Sequence, residues 1–339
     1  MVLGDPRLAD RAKKRGRFGE EDVEAFERMK RALVELPGRS FRYLDDHRTL
    51  LADLASAPPE LVLNFCDTGF HNQAHHELHV PAYLELLDIP YSGAPPATLA
   101  LCYDKAAVRA IAAGLGVPVP EETFLGPGEP AEQALPDRYP LLVKPNRGDG
   151  SVGITQNAVA RTAEEARAAI ERLRAADPEA ESLIQEYLEG AEYGIGLIGN
   201  PTPARGGGPD DGFTVLPPLE VDFSRLPDHL PPILSYESKA DPDSPYFTDI
   251  AYHRANLPLE DLDRLVHWSK LLVTRLGCRD YARIDFRADA DGALRLLEVN
   301  PNPAWCWDGK MAIMAAFEGR SYPDLLRLIL EVAEARLAF

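Results

Sequence analysis

The sequence predicts an α/β fold carried by two or three units, and three observations support that prediction. Strand-like and helix-like segments alternate from residue 61 onward, the order that builds layered βαβ structure. The chain has 339 residues, 45% of them hydrophobic. That is enough for several cores, because single cores stop growing at about 250–300 residues. Between residues 139 and 187 a strand, a glycine-bearing loop, a capped helix and a second strand form a small α+β unit of their own.

In order along the chain, Val23, Phe26, Met29, Leu33 and Leu36 recur every three or four residues, so the opening segment reads as a helix with one apolar stripe, ended by Pro37-Gly38. Residues 61–65 read as a strand, 77–87 as a helix and 91–96 as a turn-rich connection. Asp104 can cap a helix that carries Val108, Ile111 and Leu115 and stops at Gly116, after which 118–123 is extended. Residues 139–145 form an apolar strand running into the loop 146–153. Thr162-Ala163-Glu164-Glu165 has the form of a capping box, so 163–174 is expected to be helical and 182–187 a strand after it. Strands at 193–198 and 213–221 flank a Gly/Pro/Asp-rich loop at 201–212, which holds the low-complexity run Gly206 to Gly208. A long helix at 260–276 is stopped by Gly277, and a hairpin and a closing helix near 322–339 complete the chain. The domain boundaries expected from this pattern are 1–100, 101–191 and 192–339.

A formal charge of -18 and a pI near 4.9 argue against nucleic acid and anionic membranes as partners, since both recruit proteins through excess Lys and Arg. Residues 1–17 are charged and lack the apolar run of a secretory signal, and no segment is apolar for long enough to span a bilayer. Cys66, Cys102, Cys278 and Cys306 are scattered, so neither a zinc ribbon nor a disulfide framework is indicated. A cytoplasmic location is therefore expected.

The chemistry is concentrated in the hairpin of residues 281–300. Arg283 and Asp285 share one face of its first strand, and Glu298 and Asn300 share one face of its second. If the turn Asp289-Ala290-Asp291-Gly292 pairs Asp285 with Glu298, the four polar groups converge while Ile284, Leu297 and Val299 pack behind. Two carboxylates and an amide oxygen are hard ligands of the kind Mg²⁺ accepts, and Arg283 beside them could hold an anion. An ordinary amphipathic hairpin with a solvated face would show the same alternation.

The scarce lysines tip that balance. There are eight, and three sit in motif-like settings: Lys144 ends an apolar strand, Lys105 begins a helix, and Lys239 lies in an irregular segment suited to a mobile, phosphate-gripping loop. The loop Arg147-Gly148-Asp149-Gly150-Ser151-Val152-Gly153 lets backbone approach a phosphate closely, with Ser151 as an extra donor. It is neither a Walker A sequence nor a Rossmann fingerprint.

With these residues in view, the chain resembles the ATP-grasp carboxylate-amine ligases and looks like a divergent member of the D-alanine:D-alanine ligase family. The resemblance runs from residue 61 to the C-terminus, through Leu87-Asp88-Ile89-Pro90-Tyr91-Ser92-Gly93, Tyr103-Asp104-Lys105, Val143-Lys144-Pro145, Gly150-Ser151-Val152-Gly153, Tyr236-Glu237-Ser238-Lys239, Arg283-Ile284-Asp285 and Leu297-Glu298-Val299-Asn300. It implies an ATP-grasp fold of three α/β domains with ATP between the central and C-terminal ones. Lys105, Lys144 and Lys239 would hold the phosphates with the loop Gly150, Ser151, Val152 and Gly153; Gln185, Glu186, Tyr187 and Leu188 would form the adenine hinge, and Glu192 would hold the ribose. Asp285, Glu298 and Asn300 would bind two Mg²⁺ ions, for which Mn²⁺ can substitute, and Arg283, with Ser151 and Lys239, would be catalytic. The implied partners are a small-molecule carboxylate and an amine, joined through an acyl phosphate with release of ADP and phosphate. A flap at 235–250 would exclude water, and a homodimer is compatible with the resemblance.

The chain also departs from the family. Its usual N-terminal glycine-rich segment with a substrate-binding glutamate has no counterpart here, and residues 1–36 read as helical and charged. Ala240 replaces the tyrosine after the flap lysine, and the segment after Asn300 is rewritten as Pro301-Asn302-Pro303-Ala304-Trp305-Cys306-Trp307-Asp308-Gly309-Lys310. Trp305 and Trp307 could line a larger acceptor pocket or simply pack, and Lys310 or Arg279 could meet an acid or lie on the surface. His71, His75, His76 and His79 lack the order of a zinc motif and read better as a polar loop. Two further readings stand beside the general ligase: a D-alanine:D-alanine ligase of peptidoglycan synthesis, and a nucleotide-binding regulatory protein without turnover.

Overall fold

Met1, Val2 and Leu3 are buried, so the chain opens in a core and not in a charged helix. The computed structural model describes residues 1–11, 13–131, 135–148, 150–202 and 211–337. Asp149, the run Gly206 to Gly208 and the last two residues of the expected closing helix lie outside the described residues.

β1 (Val2–Leu3) is followed by irregular chain, α1 (Glu20–Val34), α2 (Leu50–Ser56) and β2 (Asn64–Phe65), which pairs parallel with β1. The apolar stripe of α1 buries Met29 and Leu33, with Leu36 just beyond, but Val23 at its start is 51% exposed. α3 (His79–Leu86), α4 (Pro96–Cys102) and α5 (Lys105–Gly114) follow. Asp104 caps α5 by accepting from Ala107 N at 3.0 Å.

The middle of the chain forms an antiparallel sheet of order β3-β6-β4-β5, from β3 (Glu122–Leu125), β4 (Leu141–Pro145), β5 (Val159–Ala160) and β6 (Ser182–Glu186). α6 (Ala163–Ala176) covers it, starting where Thr162 Oγ1 accepts from Glu165 N at 3.2 Å.

A larger antiparallel sheet runs β10-β9-β7-β11-β12, with β8 also on β7. Its strands are β7 (Glu192–Gly199), β8 (Phe213–Val215), β9 (Leu219–Asp222), then after the short helices α7 (Glu237–Ala240) and α8 (Pro245–Thr248), β10 (Ala251–Arg254), and beyond α9 (Leu259–Leu276), β11 (Tyr281–Ala288) and β12 (Leu294–Asn300). The single strand expected over 213–221 is split into β8 and β9 around Pro217-Pro218, since proline supplies no ladder donor. Lys239, expected in irregular chain, sits in α7. α10 (Lys310–Ala316) and α11 (Tyr322–Leu337) close the chain.

Two arrangements position the cleft. One face of the large sheet packs on α9, on Cys102, Val108 and Ala112 from α4 and α5, and on Val117 just beyond α5, so the helix that begins with Lys105 shares a core with β11 and β12. The other face receives α10, for which β7 supplies glycines: a Cβ at Gly196 would lie 2.9 Å from Met314 Sδ, and one at Gly194 3.1 Å from Met314 Cε. Asp280, fully buried ahead of β11, accepts from Arg336 Nε at 2.7 Å and from Gly93 N at 2.9 Å, tying α11 and the first ninety residues to the hairpin.

Candidate active site

In the β11–β12 hairpin Asp285 stands opposite Glu298 and Arg283 opposite Asn300. A bulge after Asp285 places Phe286 opposite Leu296, leaving Leu297 as the extra residue. Leu296, and not Leu297, therefore joins Ile284, Phe286 and Val299 in the core, which corrects the alternation expected for this strand.

Arg283 grips Asp285 with Nε at 2.8 Å from Oδ1 and Nη2 at 2.9 Å from Oδ2, and Asn300 Nδ2 donates to the same Oδ2 at 3.2 Å. Lys310 Nζ stands 3.9 Å from that oxygen. Burial pushes the Asp285 carboxyl up, but the charges of Arg283 and Lys310 outweigh it and hold the group at about 2. Lys310 is shifted down by burial against the pull of Asp285 and Glu192. Glu192, on β7 across from Arg287, is raised by burial and also feels Asp285 and Glu298. Three carboxylates are thus within electrostatic reach of one another, with an amide at one side. Among the described residues no three such groups stand close enough together to enclose a metal ion, and both oxygens of Asp285 are taken by Arg283.

The facing wall is built by the smaller sheet and α5. Lys144 is 5% exposed, donates to Gln185 Oε1 at 3.1 Å, and is brought down to about 7 by burial, then by Arg109 and Lys105, while Glu298 and Glu122 pull it back up. Lys144 and Glu298, one on each wall, therefore feel each other's charge. Lys105 lies beside them and donates to Gly148 O.

The loop after β4 turns through positive φ at Gly150, Ser151 and Gly153. A Cβ at Gly153 would meet Pro145 Cγ at 2.6 Å, so this turn requires glycine. Ser151 Oγ donates to Leu234 O at 3.0 Å and Tyr236 N to Ile154 O at 2.7 Å, which docks the segment around Lys239 on the loop. Lys239 itself is exposed, and its charge reaches Asp285 and Lys310. In the hinge, Glu186 Oε1 accepts from Glu121 N at 2.9 Å, Tyr187 donates to Pro232 O at 3.2 Å, Leu188 is buried and Val152 lies exposed on the loop. Of the sequence-predicted residues, the hairpin set, Lys144, Lys105, Gln185 and Glu192 are linked by hydrogen bonds and by charges that reach one another, while Glu186 and Tyr187 are engaged in contacts to backbone.

Sequence reading missed Arg109 and Glu122. The available signal was Arg109 itself, an arginine on the α5 face that buries Lys105, Val108 and Ala112. It also missed Lys13, whose ammonium is 2.9 Å from Asp22 and close to Asp67 and Cys306.

Trp305 is 6% exposed and meets Tyr281 edge-on at 4.8 Å, so it packs in the core. Trp307 lies under the guanidinium of Arg28 at 3.9 Å. Arg279 stacks on Tyr91 and donates to Gly93 O at 3.2 Å. His76 meets His75 edge-on at 4.1 Å and stacks on His79 at 4.5 Å between ring centroids, and the His71 backbone N–H donates to His47 Nδ1.

The family description "D-ala D-ala ligase C-terminus" matches residues 129–331. An uncharacterized protein, y4sG, of Sinorhizobium fredii is 30% identical over 76% of this chain and 70% of its own length. A D-alanine–D-alanine ligase of Bordetella pertussis is 28% identical over 85% of this chain and 82% of its own. The crystal structure of a D-alanine–D-alanine ligase from Bacillus anthracis complexed with ATP superposes with a TM-score of 0.69 at 20% identity, covering 99% of this chain and 98% of that one.

Proposed function

The chain belongs to the D-alanine:D-alanine ligase family and is an ATP-dependent ligase of C–N bonds, and from that premise we propose that it activates a small carboxylic acid as an acyl phosphate and joins it to an amine. The observation that carries the reading is the meeting of Asp285 and Glu298, in register on one wall, with Lys144 on the other.

ATP lies in that cleft, its phosphates on Lys105, Lys144, Lys239 and the turn of Gly150, Ser151, Val152 and Gly153, its base against Gln185, Glu186, Tyr187 and Leu188, and its ribose toward Glu192. Two Mg²⁺ ions, or Mn²⁺ in their place, would be held by Asp285, Glu298 and Asn300 and would neutralise phosphate charge. Lys144, ammonium below about pH 7, adds to that neutralisation, so the substrate carboxylate can approach the γ-phosphorus in line. Arg283 exchanges part of its grip on Asp285 for the oxyanion of the tetrahedral intermediate formed when the amine attacks. The segment 235–250, held beside the glycine turn by the Ser151 bond to Leu234 O just before it and by Tyr236 N on Ile154 O, excludes water that would hydrolyse the acyl phosphate.

The division at 1–100, 101–191 and 192–339 belongs to the same proposal. So does a cytoplasmic location; no helix among the described residues is long and apolar enough to cross a membrane. Subunit association into a homodimer is compatible with it.

Incubation with ATP, Mg²⁺ and pairs from an amino-acid panel is expected to yield ADP, phosphate and an amide detectable by mass spectrometry. AMP and pyrophosphate would rule out the acyl phosphate. D-alanyl-D-alanine is the second reading, favoured by the Bordetella pertussis relative; the same screen decides it at saturating D-alanine. Substrate-dependent ATP consumption would exclude a purely regulatory nucleotide-binding role.

A further inference from the structure

Arg109 ties the two walls of the cleft together. It is 1% exposed on α5, one turn after Lys105. Its Nη1 donates to Leu297 O at 2.8 Å, the carbonyl of the bulge residue directly before Glu298. Its Nε donates to Glu122 Oε2 at 2.5 Å. That carboxylate also accepts from Gln185 Nε2 at 3.0 Å, and Gln185 Oε1 accepts from Lys144 Nζ at 3.1 Å. The amide stands between an ammonium that can only donate and a carboxylate that accepts, so its orientation is fixed by its neighbours. A continuous hydrogen-bonded chain therefore runs from the peptide beside Glu298 to the ammonium of Lys144.

β12 is an edge strand, and its outer ladder is held from α5 and its following segment: Leu296 N donates to Pro118 O at 2.9 Å, next to the Arg109 contact. Carrying a guanidinium into this place is costly, and Nη2 has no hydrogen-bond partner among the described residues. An apolar side chain of similar size would fill the site without that penalty. What only arginine supplies is a rigid fork whose two edges reach different elements at once.

We propose that Arg109 is a positioning residue for phosphoryl transfer, holding the Lys144 ammonium and the Glu298 carboxylate at a fixed separation through the bulged peptide of β12 on one arm and Glu122 and Gln185 on the other. The inference rests on Lys144 and Glu298 serving the phosphates and the cation as set out above, and its test separates the two claims.

The measurement is kcat, KM for ATP and the pH dependence of kcat/KM for ATP in Arg109→Met, Arg109→Lys and Glu122→Gln, beside Lys144→Met and Glu298→Ala. Arg109→Met lowers kcat about a hundredfold, the loss that a displacement of about 1 Å can produce, with a smaller rise in KM. Arg109→Lys restores part of it through one arm.

The alkaline limb supplies a readout that packing alone does not move. The groups facing Lys144 are Arg109 and Lys105 from α5, Glu122 from β3, Gln185 from β6 and Glu298 from β12. Arg109 lowers and Glu122 raises the lysine, so Arg109→Met moves the limb to higher pH and Glu122→Gln moves it to lower pH. Wild-type kcat and an unmoved limb in both Arg109 variants, with turnover lost in Lys144→Met and Glu298→Ala, overturn the inference alone. Wild-type turnover in Lys144→Met and Glu298→Ala overturns the site. Should Arg109→Met fail to fold, Glu122→Gln decides: a limb moved downward supports the chain, and an unmoved limb with unchanged kcat overturns it.

Discussion

The hairpin of β11 and β12 and the segment from β1 to the start of α1 flank the same molecule but encode their places differently. In the hairpin, side chains two apart share a face, and a four-residue turn pairs the strands, so Arg283, Asp285, Glu298 and Asn300 are brought together by residues within twenty positions of one another. The N-terminal segment has no such internal rule. β1 is fixed by residues 63–65, Leu44 O accepts from Leu3 N at 3.0 Å, Asp5 N donates to Asn72 Oδ1 at 2.9 Å, and Asp5 Oδ2 accepts from His47 N at 2.9 Å. Local periodicity reveals a half-site; a loop held by distant partners stays hidden until those partners are placed.

If that contrast is also one of function, the largest effect belongs to the hairpin. Glu298→Ala removes a carboxylate that faces the cleft and contributes nothing to the apolar core behind it. Turnover is expected to fall about a thousandfold, the equivalent of about 4 kcal/mol of lost charge stabilisation in the transition state, with the melting temperature little changed. Steady-state kinetics beside circular dichroism checks both halves. Wild-type turnover would place the cation elsewhere.

The same contrast explains what the sequence made legible. Lys144 was identifiable because an apolar strand ending in a lysine before Pro145 points to a buried charge with something to meet. The bulge at Leu297 was not, because an extra residue in a strand leaves no mark on its composition, and it exchanged Leu296 for Leu297 in the core. Arg109 and Glu122 were hidden for a related reason. Their meaning depends on a contact between α5 and β12 that spans 188 positions. Lys239 reads as irregular chain in the sequence because four residues of helix carry too little periodicity to be recognised. Val23 fitted the stripe of α1 perfectly well in spacing, yet a stripe says which residues share a face and not how far the covering element extends.

A pair of substitutions sharpens that last point. Leu3, in a segment that reads as charged and helical, is 1% exposed, whereas Val23, on the apolar stripe of the opening helix, is 51% exposed. Leu3→Ala is expected to destabilise by about 2–5 kcal/mol through the cavity it leaves, and Val23→Ala by no more than about 0.5 kcal/mol. Denaturant melts with unchanged slopes would measure both. Equal losses would restore the helical reading of the N-terminus.

The smallest effect concerns Trp307, one of the two tryptophans that could have lined an acceptor pocket. Its ring is 39% exposed and lies 3.9 Å from the Arg28 guanidinium of α1, on the outside of the segment that follows the hairpin. A cation over an aromatic face at an exposed site contributes about 0.5–1 kcal/mol, so Trp307→Ala is expected to lose that much stability and to leave the acceptor KM unchanged. Arg28→Met should lose a similar amount, and the double variant little more than either, because the two losses share one contact. A rise in acceptor KM in Trp307→Ala, without one in Arg28→Met, would move this tryptophan from the surface of the N-terminal helix into the substrate pocket.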